Sequence, residues 1–400
     1  MHKMAPQSLA LLVPIPAEIA LSGEAFRLLR DQVYFMDEKI ASVSCSSHQI
    51  EIHFSEPPSD PDSFKEKVVR LAQRTSRSFQ KAVPQVVTEE EGELLNHSDP
   101  YPVLARDRQV IEVGPGIYVY QGEFLKYLEA LDRIFHQAAL GRGAAEQGVP
   151  TTVPVTSLVQ NGYVAGFPHQ LFLVGSIHHD FELVEGLAGD PQKYLSSDGA
   201  LEDVASHHTR LLSPTVCYHT FESLRGQTLE KETSLFTALG RCHRNEGAGV
   251  GGLHRLQTFT MREIIYFGSQ DFVEAERTWT LDHLKALFHQ WKLKYRVITA
   301  SDAFFAGGSE KRRAYQTVFK LKYEMQLYLP HAEDWLAVAS FNHHQETLTE
   351  AYQIRRKSCE PIFSGCTGYG YERLAYALYA QKGMERSAWP QGLRDESCGR

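Results

Sequence analysis

The chain of 400 residues is 42% hydrophobic, carries 21 Phe and 18 Tyr and has a mean hydropathy of -0.32, which is enough apolar material for a large core and excludes a disordered or low-complexity chain. With 49 Asp and Glu against 41 Lys and Arg the net charge is -8, so broad adhesion to nucleic acid or an anionic membrane is disfavoured and any polyanion must meet a local patch. The apolar run from Leu9 to Pro14 is far short of the ~20 residues of a bilayer span, and the six cysteines at 45, 217, 242, 359, 366 and 398 show no disulfide-framework spacing; a soluble, cytoplasmic protein without membrane contact is expected.

In chain order, Leu11 to Pro14 is a short apolar strand, Glu24 to Tyr34 has helical spacing, Ile40 to Cys45 and Gln49 to Phe54 alternate, and Phe64 to Phe79 is helical again, which predicts a small α/β sandwich. On the second helix Arg70, Arg74, Arg77 and Lys81 form a stripe opposite Phe64, Val68, Leu71 and Thr75. Such stripes are commonly solvated faces, and the functional alternative is a docking surface for an acidic partner. Residues 1–95 nevertheless hold 10 Lys or Arg against 14 Asp or Glu, a net charge of 10 - 14 = -4. The acidic, turn-rich stretch from Thr88 to Pro102 is expected to be a linker, dividing the chain into a small α+β domain (1–95) and a larger domain (96–400).

Beyond the linker, Gly114 to Gln121 predicts a hairpin or strand, and Glu123 to Leu140 a helix burying Phe124, Leu125, Leu128, Leu131 and Phe135. Thr215 to Phe221, Thr258 to Phe267 and Trp335 to Phe341 are β-rich, and Phe272 to Leu293 is helical. Strands do not alternate regularly with crossover helices, so an antiparallel α+β sheet is favoured over a doubly wound one.

Two stretches can carry chemistry. Residues 240–268 place Arg244 and Glu246 before a glycine-rich turn, 247–252. An arginine offers a fixed fork of donors to phosphate, and a glutamate accepts from an adenine amino group. Alone, an Arg-x-Glu beside glycines is more often an exposed hairpin. Residues 365–380 read GCTGYGYERLAYALYA; here Gly368 and Gly370 are expected to open a helix whose first turn carries Arg373, where free backbone N–H groups already favour an anion.

Together these stretches resemble motifs 2 and 3 of class II aminoacyl-tRNA synthetases, over roughly residues 100–385. Arg244-Asn245-Glu246 is similar to the Arg-x-Glu of motif 2, Phe259 falls where that family stacks a phenylalanine on adenine, and Gly368-Tyr369-Gly370-Tyr371-Glu372-Arg373 is similar to the Gly-x-Gly-x-x-Arg of motif 3. The resemblance implies an antiparallel sheet flanked by helices, a homodimer, and an ATP site in which Arg244 grips the α-phosphate and Arg373 the γ-phosphate. Motif 1 corresponds to Glu123–Leu140 followed by either Pro154 or Pro168.

Within the class the chain resembles the atypical seryl-tRNA synthetases of methanogens and the shortened amino acid:[carrier protein] ligases. Both bind a catalytic zinc through cysteine, glutamate and cysteine, which the resemblance places here at Cys217, Glu263 and Cys366. It also places Mg2+ and ATP contacts at Glu324 and substrate contacts at Ser340 and Asn342, with His343 and His344 as supporting or exposed residues. Where the seryl enzymes carry an acid about three positions before the serine, this chain has Ala337, a departure that speaks against a second magnesium ion and against seryl-tRNA synthesis. The implied activity is ATP-dependent activation of a small amino acid and its transfer to the phosphopantetheine thiol of a carrier protein, with charging of tRNA as the alternative. The carrier-protein ligases lack an extension such as residues 1–95. A catalytically dead regulator is disfavoured, because Arg244, Glu246, Arg373 and all three zinc-ligand positions are present together.

Overall fold

The computed structural model describes residues 9–19, 21, 23–46, 48–81, 83–195, 204–205, 209–300, 316, 320–358 and 360–398. Cys359 lies outside the described residues. The first unit is built from β1 (Leu9–Pro14), α1 (Gly23–Val33), β2 (Ile40–Cys45), β3 (Gln49–Phe54) and α2 (Pro61–Lys81), with sheet order β1-β3-β2. Asp60 caps α2 by accepting from the Ser63 N–H at 3.0 Å. Phe64, Val68, Leu71 and Ala72, at helical spacing, are buried against Ile50, Ile52 and Phe54 of β3, and burying each large side chain contributes roughly 1.5–3 kcal/mol. On the opposite face Arg70 and Arg77 are exposed and Arg74 is half-buried.

The large unit is an eight-stranded sheet. Its strands are β4 (Val86–Glu90), β7 (Ala145–Gly148), β8 (Ser234–His243), β9 (Thr258–Gly268), β10 (Tyr295–Thr299), β11 (Lys322–Leu329), β12 (Asp334–Gln345) and β13 (Phe363–Gly370), in the order β4-β10-β11-β12-β13-β9-β8-β7; β5 (Val110–Gly114) and β6 (Ile117–Tyr120) form a separate hairpin. Every pairing in the large sheet is antiparallel except that of β8 with β7. One face is covered by α3 (Gly122–Gly141), α5 (Gln270–Gln290) and α6 (Tyr371–Lys382). The Phe135 ring of α3 stacks on Tyr369 at 4.1 Å between centroids, and Arg262 reaches from the same face of β9 to Asp132 at 2.7 Å. This is the antiparallel, helix-flanked architecture expected from the sequence. Among the described residues no helix is long and apolar enough to cross a membrane.

Three local expectations are corrected. Thr215–Phe221 is not a strand: Cys217–Ser223 forms a short helix, α4. The Val216 and Cys217 N–H groups, which strand pairing would have used, donate instead to the Glu263 carboxylate at 2.9 and 3.2 Å. The predicted linker is a strand as far as Glu90, because β4 pairs with β10 at the edge of the large sheet. Only Gly370 opens a helix, as the extended N-cap of α6, which starts at Tyr371; Gly368 lies within β13. Arg373 is on the first turn, as expected.

Candidate active site

The open face of the sheet is organised by strand register. Glu324 faces Ser340, Ser340 faces Gly368, and Gly368 faces Glu263, so four strands contribute one row of side chains. Because alternate residues share a face, Asn342, Cys366, Met261 and Phe259 belong to the same surface. Gly368 leaves the middle of that row open: a Cβ there would come within 2.6 Å of Met261 Cε and 3.7 Å of Ser340 Oγ. The result is a cavity of about 1000 Å³ whose lining includes all ten sequence-predicted site residues: Cys217, Arg244, Glu246, Phe259, Glu263, Glu324, Ser340, Asn342, Cys366 and Arg373. Ala337 lies on the same wall.

One end of the cavity holds two thiols and a carboxylate. The ligand atoms of Cys217, Glu263 and Cys366 all lie within 4.8 Å of one another, and all three residues are buried. Glu263 is held firmly: Oε1 accepts from Thr215 Oγ1 at 2.5 Å and from the Val216 N–H at 2.9 Å, and Oε2 accepts from the Cys217 N–H. Asn342 Nδ2 lies 3.5 Å from Cys366 Sγ, and His344 Nε2 lies 3.6 Å from it. A hydrogen bond shared with Cys366, then burial, then the Glu263 charge push the Cys217 thiol well above the ordinary thiol range. Three acidic groups packed this closely can all ionise only with a cation between them. The donor set, two sulfurs and one carboxylate oxygen, is that of a zinc site with three protein ligands.

The other end is cationic. Arg244 Nε donates to the Pro214 carbonyl at 3.0 Å, and its guanidinium covers the Phe259 ring at 5.3 Å from the centroid. Among the described residues the Arg373 guanidinium has neither a hydrogen bond nor an ion pair. Burial first, then the fields of Arg244 and Arg255 against those of Glu246 and Glu324, hold it below the ordinary guanidinium value. A desolvated arginine repelled by its neighbours is a place where an anion is stabilised. Glu372, beside it, does a different job: its carboxylate accepts from Thr260 N–H and Oγ1, both at 2.8 Å, which ties the start of α6 to β9 and fixes the turn that presents Arg373. Burial pushes this carboxyl up despite those bonds. Glu324 carries an ion pair with Lys322 at 3.2 Å.

Two contributors escaped the sequence reading. Thr215, two residues before Cys217, positions Glu263; a threonine in a β-rich stretch gives no signal of that role. Arg255 pairs with Glu246, with Nε and Nη2 both at 3.0 Å from Oε2. It sits three residues after the glycine-rich turn, and its position there is the one sequence signal that points to it.

No family model matches the chain. It is 24% identical to the type-2 serine–tRNA ligase of Methanopyrus kandleri over 353 residues, 82% of this chain and 67% of that enzyme. It is 27% identical to the type-2 serine–tRNA ligase of Methanocaldococcus jannaschii over 69% of this chain and 54% of that enzyme, so the chain spans little more than half of this relative's length. It is 29% identical to amino acid–[acyl-carrier-protein] ligase 1 of Bradyrhizobium diazoefficiens over 303 residues, 74% of this chain and 90% of that one. In three dimensions it matches M. kandleri seryl-tRNA synthetase, solved with Aquifex aeolicus tRNASec, with a TM-score of 0.69 at 20% identity over 91% of this chain and 74% of that one. It also matches Pyrococcus horikoshii seryl-tRNA synthetase, solved with ATP, with a TM-score of 0.55 at 12% identity over 87% of this chain and 84% of that one. The fold and the open-face site thus define a class II aminoacyl-tRNA synthetase-like protein. Within that class its homologues are type-2 seryl-tRNA ligases and an amino acid–carrier-protein ligase.

Proposed function

We propose that the protein is an ATP-dependent ligase that activates a small amino acid as its aminoacyl-adenylate and passes the acyl group to the phosphopantetheine thiol of a carrier protein. The observation that carries this reading is the presence, in one cavity, of the Cys217–Glu263–Cys366 cluster and an Arg373 guanidinium that has no hydrogen bond or ion pair among the described residues. Cys217, Glu263 and Cys366 would hold Zn2+, which when bound supplies a Lewis acid with room for an amino group, so that amino acids are preferred over plain carboxylic acids. Ser340 and Asn342 flank that corner and would contact the substrate. Arg244 and Arg373 would hold the α- and γ-phosphates, Glu246 and Phe259 the adenine, and Glu324 a Mg2+ ion accompanying ATP. The amino acid carboxylate displaces pyrophosphate from the α-phosphorus; the carrier thiolate then attacks the acyl carbon and AMP leaves.

Charge favours a carrier protein as the acceptor. A tRNA partner calls for a basic surface against its phosphates, whereas this chain is net -8. An acidic carrier protein needs only a local basic patch such as Arg70, Arg74 and Arg77. A division into two units, with the boundary before β4 and not at residue 95 because that strand belongs to the large sheet, a homodimer and a cytoplasmic location belong to the same proposal, with the first unit serving acceptor recognition. The second reading, seryl-type charging of tRNA, is favoured by the likeness to M. kandleri seryl-tRNA synthetase over 91% of the chain.

Pyrophosphate exchange measured with each common amino acid tests the first half, and zinc-dependent exchange with a small amino acid is expected. Mass spectrometry after offering a holo carrier protein or total tRNA tests the second. A thioester adduct on the carrier is expected, and charged tRNA with an unmodified carrier would hand the case to the alternative.

A further inference from the structure

The cationic end of the cavity is not built by the large unit alone. Arg255, with only 13% of its side chain exposed, lies between two carboxylates from different units. Glu246 Oε2 accepts from its Nε and Nη2, while Asp31 at the end of α1 accepts from its Nη1. Among the described residues the second oxygen of Glu246, Oε1, has no hydrogen-bond partner. The glycine-rich turn preceding Arg255 rests on the residues that follow Asp31. A Cβ at Gly247, where φ is +58°, would stand 3.4 Å from the Phe35 ring; one at Gly249 would stand 3.3 Å from Tyr34 and 3.2 Å from the Arg255 guanidinium carbon. Phe35 also packs edge-on against His169 of the large unit, with ring centroids 4.4 Å apart.

We propose that Asp31 is a positioning residue of the nucleotide site: by anchoring Arg255 it fixes Glu246 with one carboxylate oxygen bound and the other available to a ligand N–H donor, the exocyclic amine of adenine. The inference rests on the reading of this cavity as an ATP site. Three features give it physical content. An arginine fork shared by two carboxylates has fewer accessible rotamers than one paired once, so Glu246 is preorganised before ligand arrives. Opposite charges flanking Arg255 also offset the repulsion that it and Arg373 exert on one another. Finally, a contact that favours ATP binding must itself be favoured by ATP, by reciprocity. Any partner that lifts the first unit away from Arg255 would therefore weaken ATP binding, which couples acceptor docking to the adenylation site.

The test uses the full chain, with Mg-ATP titrated by calorimetry and the KM for ATP measured by pyrophosphate exchange. Asp31→Asn is expected to raise both Kd and KM about ten-fold while kcat changes less than about two-fold. Asp31→Glu should recover most of the loss. Arg27→Gln breaks a second ion pair between the units, Arg27 with Asp334 at 2.5 Å, and is expected to leave both constants at native values. A Kd for Asp31→Asn equal to that of the native chain overturns the inference, as does an equal loss in Arg27→Gln, which would assign the effect to docking at large. Failure of the native chain to bind ATP removes the ATP reading itself, a result distinct from either of these.

Discussion

The two ends of the cavity are made in opposite ways. The Cys217–Glu263–Cys366 corner is assembled mostly from neighbouring strands in fixed register, and its carboxylate is held in place by Thr215 and two backbone N–H groups. The arginine end is assembled from a glycine turn, the first turn of a helix and a contact with another unit, and it keeps groups in reserve: the Arg373 guanidinium and Glu246 Oε1. A site for a resident cation must be held in place by the fold, since its acidic ligands repel one another until the cation arrives. A site for a consumed ligand must keep its donors and acceptors uncommitted until the ligand arrives.

The sharpest way to break this comparison is at the rigid end. Cys217→Ser and Cys366→Ser are each expected to take zinc from about one per chain to none and to lower pyrophosphate exchange on the order of 10³-fold, read by elemental analysis and by exchange. A serine protein that kept metal and rate would mean that the cluster is only a buried structural pair. At the other end, Arg373→Ala and Arg244→Ala should each lower exchange by about 10²-fold, the usual cost of removing one preorganised partner of developing charge. Zinc content should not change, which separates the two ends.

Smaller effects sharpen the contrast. Thr215→Val removes one of the three bonds on Glu263 and should weaken zinc binding by about ten-fold, measured by competition with a chelator. A pH effect belongs to the less rigid end. Burial lowers His169 to about 4, from an ordinary value of 6.5, so the neutral ring favours the folded chain fully above pH 6.5. That contribution is lost as pH falls from 6.5 through about 4, because the unfolded chain takes up the proton first. His169→Phe should flatten this part of the plot of Tm against pH, and an unchanged acid limb would show that His169 does not shape it.

What could be read from the sequence divides along the same line. Arg244, Glu246 and Arg373 were legible because short motifs with glycines carry them. The three positions of the buried corner, 46 and 103 residues apart as 263 - 217 and 366 - 263, were legible only through the family resemblance, since register across β13 and β9 sets their proximity and no local spacing reports it. Asp31 and Arg255 are 255 - 31 = 224 positions apart, and nothing in either neighbourhood announces the pair. The acidic strand β4 was hidden for a different reason. It is an edge strand, and edges carry charge that masks the alternation by which inner strands are recognised; Glu90 instead accepts from Tyr295 Oη at 2.8 Å. At Cys217–Ser223 a β-rich composition gave way to a helix because two amides were claimed by Glu263, a tertiary demand that propensity does not contain.

The closeness of α2 and β4 along the chain has its own consequence. The helix ends at Lys81 and the strand begins at Val86, so only positions 82–85 connect a unit bearing Asp31 to a strand fixed in the large sheet. Four residues reach at most about 14 Å, which confines Asp31 to a small volume near Arg255 and gives their encounter the effective concentration of a short tether, millimolar or above. One partly buried ion pair could not by itself hold two separate proteins together. On so short a leash it can stay formed for much of the time, yet still yield to a competing surface of modest affinity.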